Sequence, residues 1–242
     1  MARFFYPSEL TIGAIISLPD AVAHHCHVLR LQTGAPVVLF NGTGGSYVAS
    51  LLEIEKKRVS AEVKTFDPAE VELPYALTLA QALPESSKMD WIIEKAVELG
   101  AAGIQPCTTQ RCVTRLSAER AEKRRLHWSG IIQSASEQCG RNRLAHLGEV
   151  TDFTPWISQQ DIHKRLFLSP HADLSLADWA RHHSPQALTL MIGPEGGFTA
   201  QEQQLALQHG AIALSMGPRV LRTETAGLAA LTTINALWGG LS

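Results

Sequence analysis

Cysteine is scarce in this chain, with four residues (Cys26, Cys107, Cys112 and Cys139) among 242 and no Cys-x-x-Cys pair. That excludes a disulfide framework and fits reduced thiols in a cytosol. The run His24-His25-Cys26-His27 concentrates ligand types, but neighbouring side chains diverge on a helix or a strand, so no metal site is expected there. Charged residues are 18% and the net charge is −2, which excludes a uniformly basic nucleic-acid coat. No apolar run reaches the roughly 18 residues of a membrane span, since even residues 226–237 contain Thr232, Thr233 and Asn235. Pro7 and Glu9 interrupt the opening stretch, which therefore does not read as a secretory signal. The expectation is a cytoplasmic chain with no membrane and no metal partner.

What is present is an ordinary globular composition, 45% apolar, with an uneven distribution of charge. Residues 1–72 carry six Lys/Arg against eight Asp/Glu, whereas residues 105–145 carry eight against three. A local arginine-rich face on a near-neutral chain suits a polyanion docking on one side.

The first 72 residues read as β-rich. Arg3–Tyr6, Pro36–Phe40, Tyr47–Ile54 and Val59–Phe66 predict strands, the last two forming a hairpin about Lys56-Lys57, and Asp20 is expected to cap a short helix. Such short strands with tight turns suggest a small barrel. A stretch with Pro68, Pro74 and three acids then marks the boundary of a second domain, 73–242. There the rhythm becomes strand–helix alternation. Strands are predicted at 76–82, 104–107, 166–169, 188–192 and 212–216. Helices are predicted from a Ser87 cap to Gly100, from Ser117 to Cys139, over 174–182, from the Thr199–Glu202 capping box to Gly210, and over 225–238. This pattern predicts an α/β domain with a parallel sheet covered on both faces. The final helix carries Leu228, Leu231, Ile234, Leu237 and Trp238, more apolar surface than a lone exposed helix should show.

Ligands of such sheets bind beyond the carboxyl ends of the strands. Three segments stand there: Ser169-Pro170-His171-Ala172, Gly193-Pro194-Glu195-Gly196-Gly197-Phe198, and the run from Gly217 to Thr225. No P-loop is present, and the second segment is not a dinucleotide fingerprint. Tight turns explain the glycines and prolines. They do not explain Arg219, Arg222 and Glu224 crowded at the end of an apolar strand.

Taken together, Gly193-Pro194-Glu195-Gly196-Gly197 with Glu202, and Gly217-Pro218-Arg219-Val220-Leu221-Arg222-Thr223-Glu224-Thr225-Ala226, resemble the signature pair of SPOUT methyltransferases that modify N3 of a uridine in 16S ribosomal RNA. The runs 94–100 and 137–141, and Arg3-Phe4-Phe5 with His25 to Arg30 behind it, are similar to further blocks of that family. The resemblance implies a PUA-like β-barrel over 1–72 and a trefoil-knotted methyltransferase domain over 73–242. It also implies a homodimer, and 16S ribosomal RNA or the small ribosomal subunit as partner.

The resemblance further implies that S-adenosylmethionine is held by Leu168, Ser169, Ile192 and Gly193 to Gly197, together with Leu214, Met216, Gly217, Val220, Leu221 and Arg222 to Ala226. A slot walled by Ile192, Leu214, Met216 and Leu221 would suit an adenine ring. Methylating N3 requires loss of its proton and stabilisation of charge on the flanking carbonyl oxygens, a role that fits Arg222. Glu224 is either a base or, preferred here, a residue that caps the last helix and orients Arg222, since a carboxylate beside two arginines should be a poor base. For RNA the candidates are Arg3, Arg30, Arg111, Arg115, Arg141, Arg143 and Arg219. Two rival readings are a ribose 2′-O methyltransferase of the same fold and a non-catalytic ribosome-assembly protein.

Overall fold

The protein is described by a computed structural model covering residues 1–55, 58–85 and 88–241, and every element below lies among these. The expected Lys56-Lys57 turn and Ser87 cap fall outside them. The chain divides into two compact units, residues 1–72 with 136–144, and residues 73–135 with 145–242.

In the first unit β1 (Ala2–Phe5), β2 (Ile15–Ser17), β3 (Pro36–Phe40), β4 (Ser46–Glu55) and β5 (Arg58–Asp67) form one sheet in the order β1-β3-β4-β5-β2. Only the β1/β3 pair is parallel. β4 and β5 pair from Ser46 opposite Asp67 to Glu55 opposite Arg58, with irregularities near Val48 and Leu51 that bend the ribbon. Phe4, Val37, Leu39, Leu51, Val59 and Val63 pack beneath it with Val22, Ala23 and Cys26 of α1 (Asp20–Val28). Asp20 is not a cap. Pro19 occupies the N-cap, no side chain bonds the first turn, and Asp20 is the first helical residue, where its charge meets the positive end of the helix. The short, half-exposed β2 escaped the sequence reading because three residues carry no period.

The second unit contains β6 (Leu77–Ala82), α2 (Lys88–Glu98), β7 (Gly103–Thr108) and most of α3 (Ala118–Cys139). It continues with β8 (His146–Leu147), β9 (Thr151–Asp152), α4 (Phe153–Ile157), β10 (Lys164–Leu168), α5 (Leu176–Arg181) and β11 (Leu188–Ile192). It ends with α6 (Ala200–Gln208), β12 (Ile212–Leu214) and α7 (Thr223–Trp238). Every strand pair is parallel, in the order β12-β10-β11-β6-β7-β8 with β9 also on β7. All five residues of β11 are buried, as expected of a central strand covered on both faces. β8, β9 and α4 were not anticipated.

Helix α2 buries Met89, Ile92, Ile93, Ala96 and Val97, the stripe read from the sequence, and Gly100 ends the segment at φ 82°. At the start of α6 the capping box is complete: Thr199 N donates to Glu202 Oε2 at 2.7 Å and Glu202 N to Thr199 Oγ1 at 3.2 Å. Phe198, just before it, stacks on Phe153 at 4.9 Å and packs with Phe167 and Met191. The apolar face of α7 is consumed within this unit, since Leu231, Ile234 and Trp238 are buried and only Leu228 and Leu237 retain exposure. The chain builds β6, β7 and β8 outward in one direction, then crosses back to place β10, β11 and β12 on the other side, so the loops after β10, β11 and β12 converge where the order reverses. Among the described residues no helix is long and apolar enough to cross a membrane.

Candidate functional site

Three loops meet at a cavity of about 430 Å³. β10 contributes Leu168, Ser169 and Pro170; β11 contributes Ile192 and the segment 193–198; β12 is followed by Met216, Gly217 and 219–223, and α7 adds Ala226. Lys88, the first described residue of α2, completes the wall.

The β11 loop is drawn tight by its own backbone. Gly197 N donates to Pro194 O at 2.8 Å, and Gly197 adopts φ 66°. At Gly193 a Cβ would stand 3.0 Å from Gly197 Cα and from Phe198 N, so glycine is required there because the loop folds back on itself. At Gly217 no atom lies within 4 Å of an added Cβ, and the requirement is instead φ 91°.

A buried hydrogen-bond chain ties α7 to this loop. Gln81 Nε2, on β6, donates to Thr223 Oγ1 at 2.9 Å, and Thr223 Oγ1 donates to Gly193 O at 2.6 Å. The Thr223 hydroxyl thereby satisfies a half-buried carbonyl on the cavity wall. Gln81 was not among the expected residues, although a fully buried glutamine in the strand Leu-Thr-Leu-Ala-Gln-Ala was the visible signal.

Charge is concentrated on one side of the cavity. Lys88 Nζ donates to Glu195 Oε1 at 2.7 Å and stands 3.6 Å from Glu224 Oε2. Glu85 N also donates to Glu195 Oε1, at 3.2 Å. The bond to Glu195 raises the Lys88 pKa above the ordinary amine value, against a smaller opposing effect of burial. For Glu195 burial pushes upward, yet the bonds from Lys88 and from the backbone amides of Glu195 and Glu85 leave it below the usual carboxylate range. Glu224 Oε2 is buried and accepts no hydrogen bond from any described residue.

Arg222 is the N-cap residue of α7, where its carbonyl accepts from the amides of Thr225 and Ala226. Its side chain lines the cavity, is exposed, and among the described residues is engaged by no hydrogen bond or ion pair. Glu224 therefore does not orient Arg222 as expected; its carboxylate faces Lys88.

Most of the residues expected around a cofactor do line this cavity, with three exceptions. Leu214 is wholly buried beneath it, because β12 points that side chain into the core. Glu224 stands behind Lys88, and Thr225 lies exposed on α7, outside the wall. Lys88, Pro170, Phe198 and Arg219 line it in addition. Lys88 follows the first strand of this unit, away from the glycine-rich loops of the later strands, so no local pattern singled it out.

The arginines expected at RNA separate into two groups. Arg141 is only 4% exposed and binds Glu72 through Nη2 at 2.6 Å and Nε at 3.0 Å, so its guanidinium is committed inside the first unit and is no RNA contact. Arg3 likewise donates to the carbonyls of Gly140 and Arg141 and to Asn142 Oδ1 at 2.6 Å. Arg143 remains half exposed beside Glu70, while Arg30, Arg115 and Arg219 are exposed. Arg111 lies at the cavity loop itself: Nη1 donates to Gly196 O at 2.7 Å. Among the described residues no group of three or more His, Cys, Asp or Glu is placed to hold a metal ion.

Comparison with known proteins matches residues 71–235 to an RNA methyltransferase domain and residues 18–64 to an RNA methyltransferase PUA domain. The chain is similar to a ribosomal RNA small subunit methyltransferase E of Bacillus subtilis, 32% identical over 97% of this chain and 96% of that protein. It superimposes with TM-score 0.93 on the crystal structure of the protein of that name from Neisseria gonorrhoeae bound to S-adenosyl methionine, at 38% identity and 98% coverage of both chains. A methyltransferase from Legionella pneumophila in complex with the same cofactor gives TM-score 0.92 at 34% identity and 97% coverage of both.

Proposed function

Because this chain belongs to the RNA methyltransferase family, we propose that it methylates N3 of a uridine in 16S ribosomal RNA, using S-adenosylmethionine bound among the three loops. The single observation that carries the reading is the convergence of those loops on one cavity whose rim holds an arginine unpaired among the described residues.

The residues present fit the cofactor. A cavity of about 430 Å³ falls within the range of ~300–1,000 Å³ typical of small-molecule sites. Leu168, Ile192, Met216 and Leu221 offer apolar walls to an adenine ring, with Leu168 taking the place expected of Leu214. The cofactor supplies an electrophilic methyl group on a sulfonium. The protein's part is to position the base and to stabilise negative charge. Arg222, held at the mouth by the capping of α7, supplies a charged planar donor to a carbonyl oxygen beside N3.

The domain layout belongs to the same reading: an RNA-binding PUA-like domain over 1–72, a methyltransferase domain over 73–242, and a trefoil knot formed by the loops after β11 and β12. So do a homodimer, the small ribosomal subunit as partner and a cytoplasmic location. Burial of Leu231, Ile234 and Trp238 within their own unit removes the sequence argument for a dimer, which now rests on family membership.

Nucleoside mass spectrometry of 16S ribosomal RNA from cells with and without the gene tests the function. Loss of 3-methyluridine is expected. Loss of a 2′-O-methylated nucleoside would establish the ribose rival, and absence of any heat with S-adenosylmethionine in calorimetry would establish the non-catalytic one.

A further inference from the structure

We propose that Lys88 is a second substrate-contacting cation of this site, meeting the pyrimidine carbonyl oxygen that Arg222 does not reach; the inference rests on the uridine N3 reading above. When N3 gives up its proton, the charge spreads over both flanking carbonyl oxygens. A cation on one side answers only half of that distribution.

Lys88 is built for the other half. It lines the cavity, and of its three donors one goes to Glu195 at 2.7 Å. Glu224 Oε2, at 3.6 Å, lies beyond a good hydrogen bond, so two donors find no partner among the described residues. The groups that face the ammonium are Glu195 from the β11 loop, and Glu224 and Arg222 from the start of α7. The two carboxylates hold it charged. Glu224 is then a positioning residue acting through Lys88: its Oε2 is buried, takes no hydrogen bond from any described residue, and has the ammonium 3.6 Å away. In the transfer, the N3 proton passes to water, the freed lone pair becomes the N–CH₃ bond, and the pair of the broken methyl–sulfur bond goes to sulfur. Lys88 neither gains nor loses a proton in this scheme. It lowers the cost of the anion.

An ammonium on this wall also suits the carboxylate of the cofactor's amino-acid tail, and the experiment separates the two oxygens. Full-length wild type, Lys88→Met and Lys88→Arg are compared by calorimetry with S-adenosylmethionine. Single-turnover methylation at saturating cofactor and RNA is then followed from pH 6 to 9.5. For Lys88→Met we expect cofactor affinity within about twofold, a rate near neutrality about 100-fold lower, and a pH midpoint raised by about one unit or more. Lys88→Arg should restore the midpoint and part of the rate. A wild-type rate and pH profile in Lys88→Met overturns the proposal. So does a tenfold loss of cofactor affinity with an unchanged saturated rate, which assigns Lys88 to the cofactor carboxylate. Equal losses in both variants with an unmoved midpoint mark a structural role and also overturn it. If wild-type enzyme yields no 3-methyluridine, it is the uridine reading that fails, and the same experiment shows this.

Discussion

The two Gly-Pro loops look alike in sequence and are held in opposite ways. In the β11 loop Pro194 and Phe198 are buried, Gly193 O is bonded to Thr223, Glu195 to Lys88, and Gly196 O to Arg111. In the β12 loop Gly217, Pro218, Arg219 and Val220 are all exposed, Val220 at 83%. One loop is a fixed floor tethered at three points. The other presents its cations without partners among the described residues. The contrast suits a site that must hold one ligand rigidly and admit a second, larger one.

The sharpest way to break the comparison is at Arg222. Arg222→Ala should lower the saturated single-turnover rate by about 2.7–4 kcal/mol of barrier while cofactor affinity changes far less, and Arg222→Lys should not fully restore it. Recovery of the wild-type rate at saturating RNA would reduce Arg222 to a binding contact.

The next largest effect should come from Gly193→Val. The added carbon meets the backbone of Gly197 and Phe198 at 3.0 Å, so the loop must open, at a cost of about 1–3 kcal/mol. Both the denaturant midpoint and cofactor affinity should fall. Gly217→Ala should lower the denaturant midpoint by the ~1–2 kcal/mol of a left-handed residue, with a smaller loss of cofactor affinity than Gly193→Val, because no atom stands in the way of its Cβ. If the two variants behave identically in chemical denaturation and calorimetry, the distinction between floor and rim is wrong.

Arg111→Ala sharpens the contrast further. It removes a tether of the β11 loop, so cofactor affinity should fall modestly; if the residue also meets a phosphate, the salt slope of RNA binding should drop by about one unit or less. An unchanged cofactor affinity measured by calorimetry would separate Arg111 from the loop.

The smallest effect is expected at Glu195. Its folded pKa is depressed, so its contribution is present above the ordinary carboxylate range and disappears as pH falls through the folded value. Glu195→Gln should therefore lower the melting temperature slightly at pH 7, and the difference should shrink as the pH falls below the ordinary carboxylate range, as thermal melts will show.

Local signals in the sequence were readable where one element satisfies itself. The stripe Met89, Ile92, Ile93, Ala96, Val97 and the Thr199–Glu202 box need only their own helix to be recognised, and both stand in the structure as expected. The strands 36–40 and 188–192 were equally legible from β-branched and apolar content. Most of the cavity was legible too, because glycine and proline after a strand mark a place where backbone meets ligand. Elements of two to five residues, β8, β9 and α4, are too short for a period to register.

What the sequence by itself determined is the alternation of elements, the capping of helices and the presence of charged, glycine-rich loops at strand ends, since each depends on contacts within a few residues. What only the tertiary structure decided is which charges are spent and which are free. Arg141 and Arg222 are both arginines in polar stretches, yet the first is fastened to Glu72, 69 residues away, and the second has no partner among the described residues. Lys88 acquires its meaning from Glu195, 107 residues away, and Thr223 from Gln81, at a separation of 142. A buried ion pair or hydrogen bond depends on distance and desolvation between groups that folding brings together, and neither quantity is written in the residues that flank them.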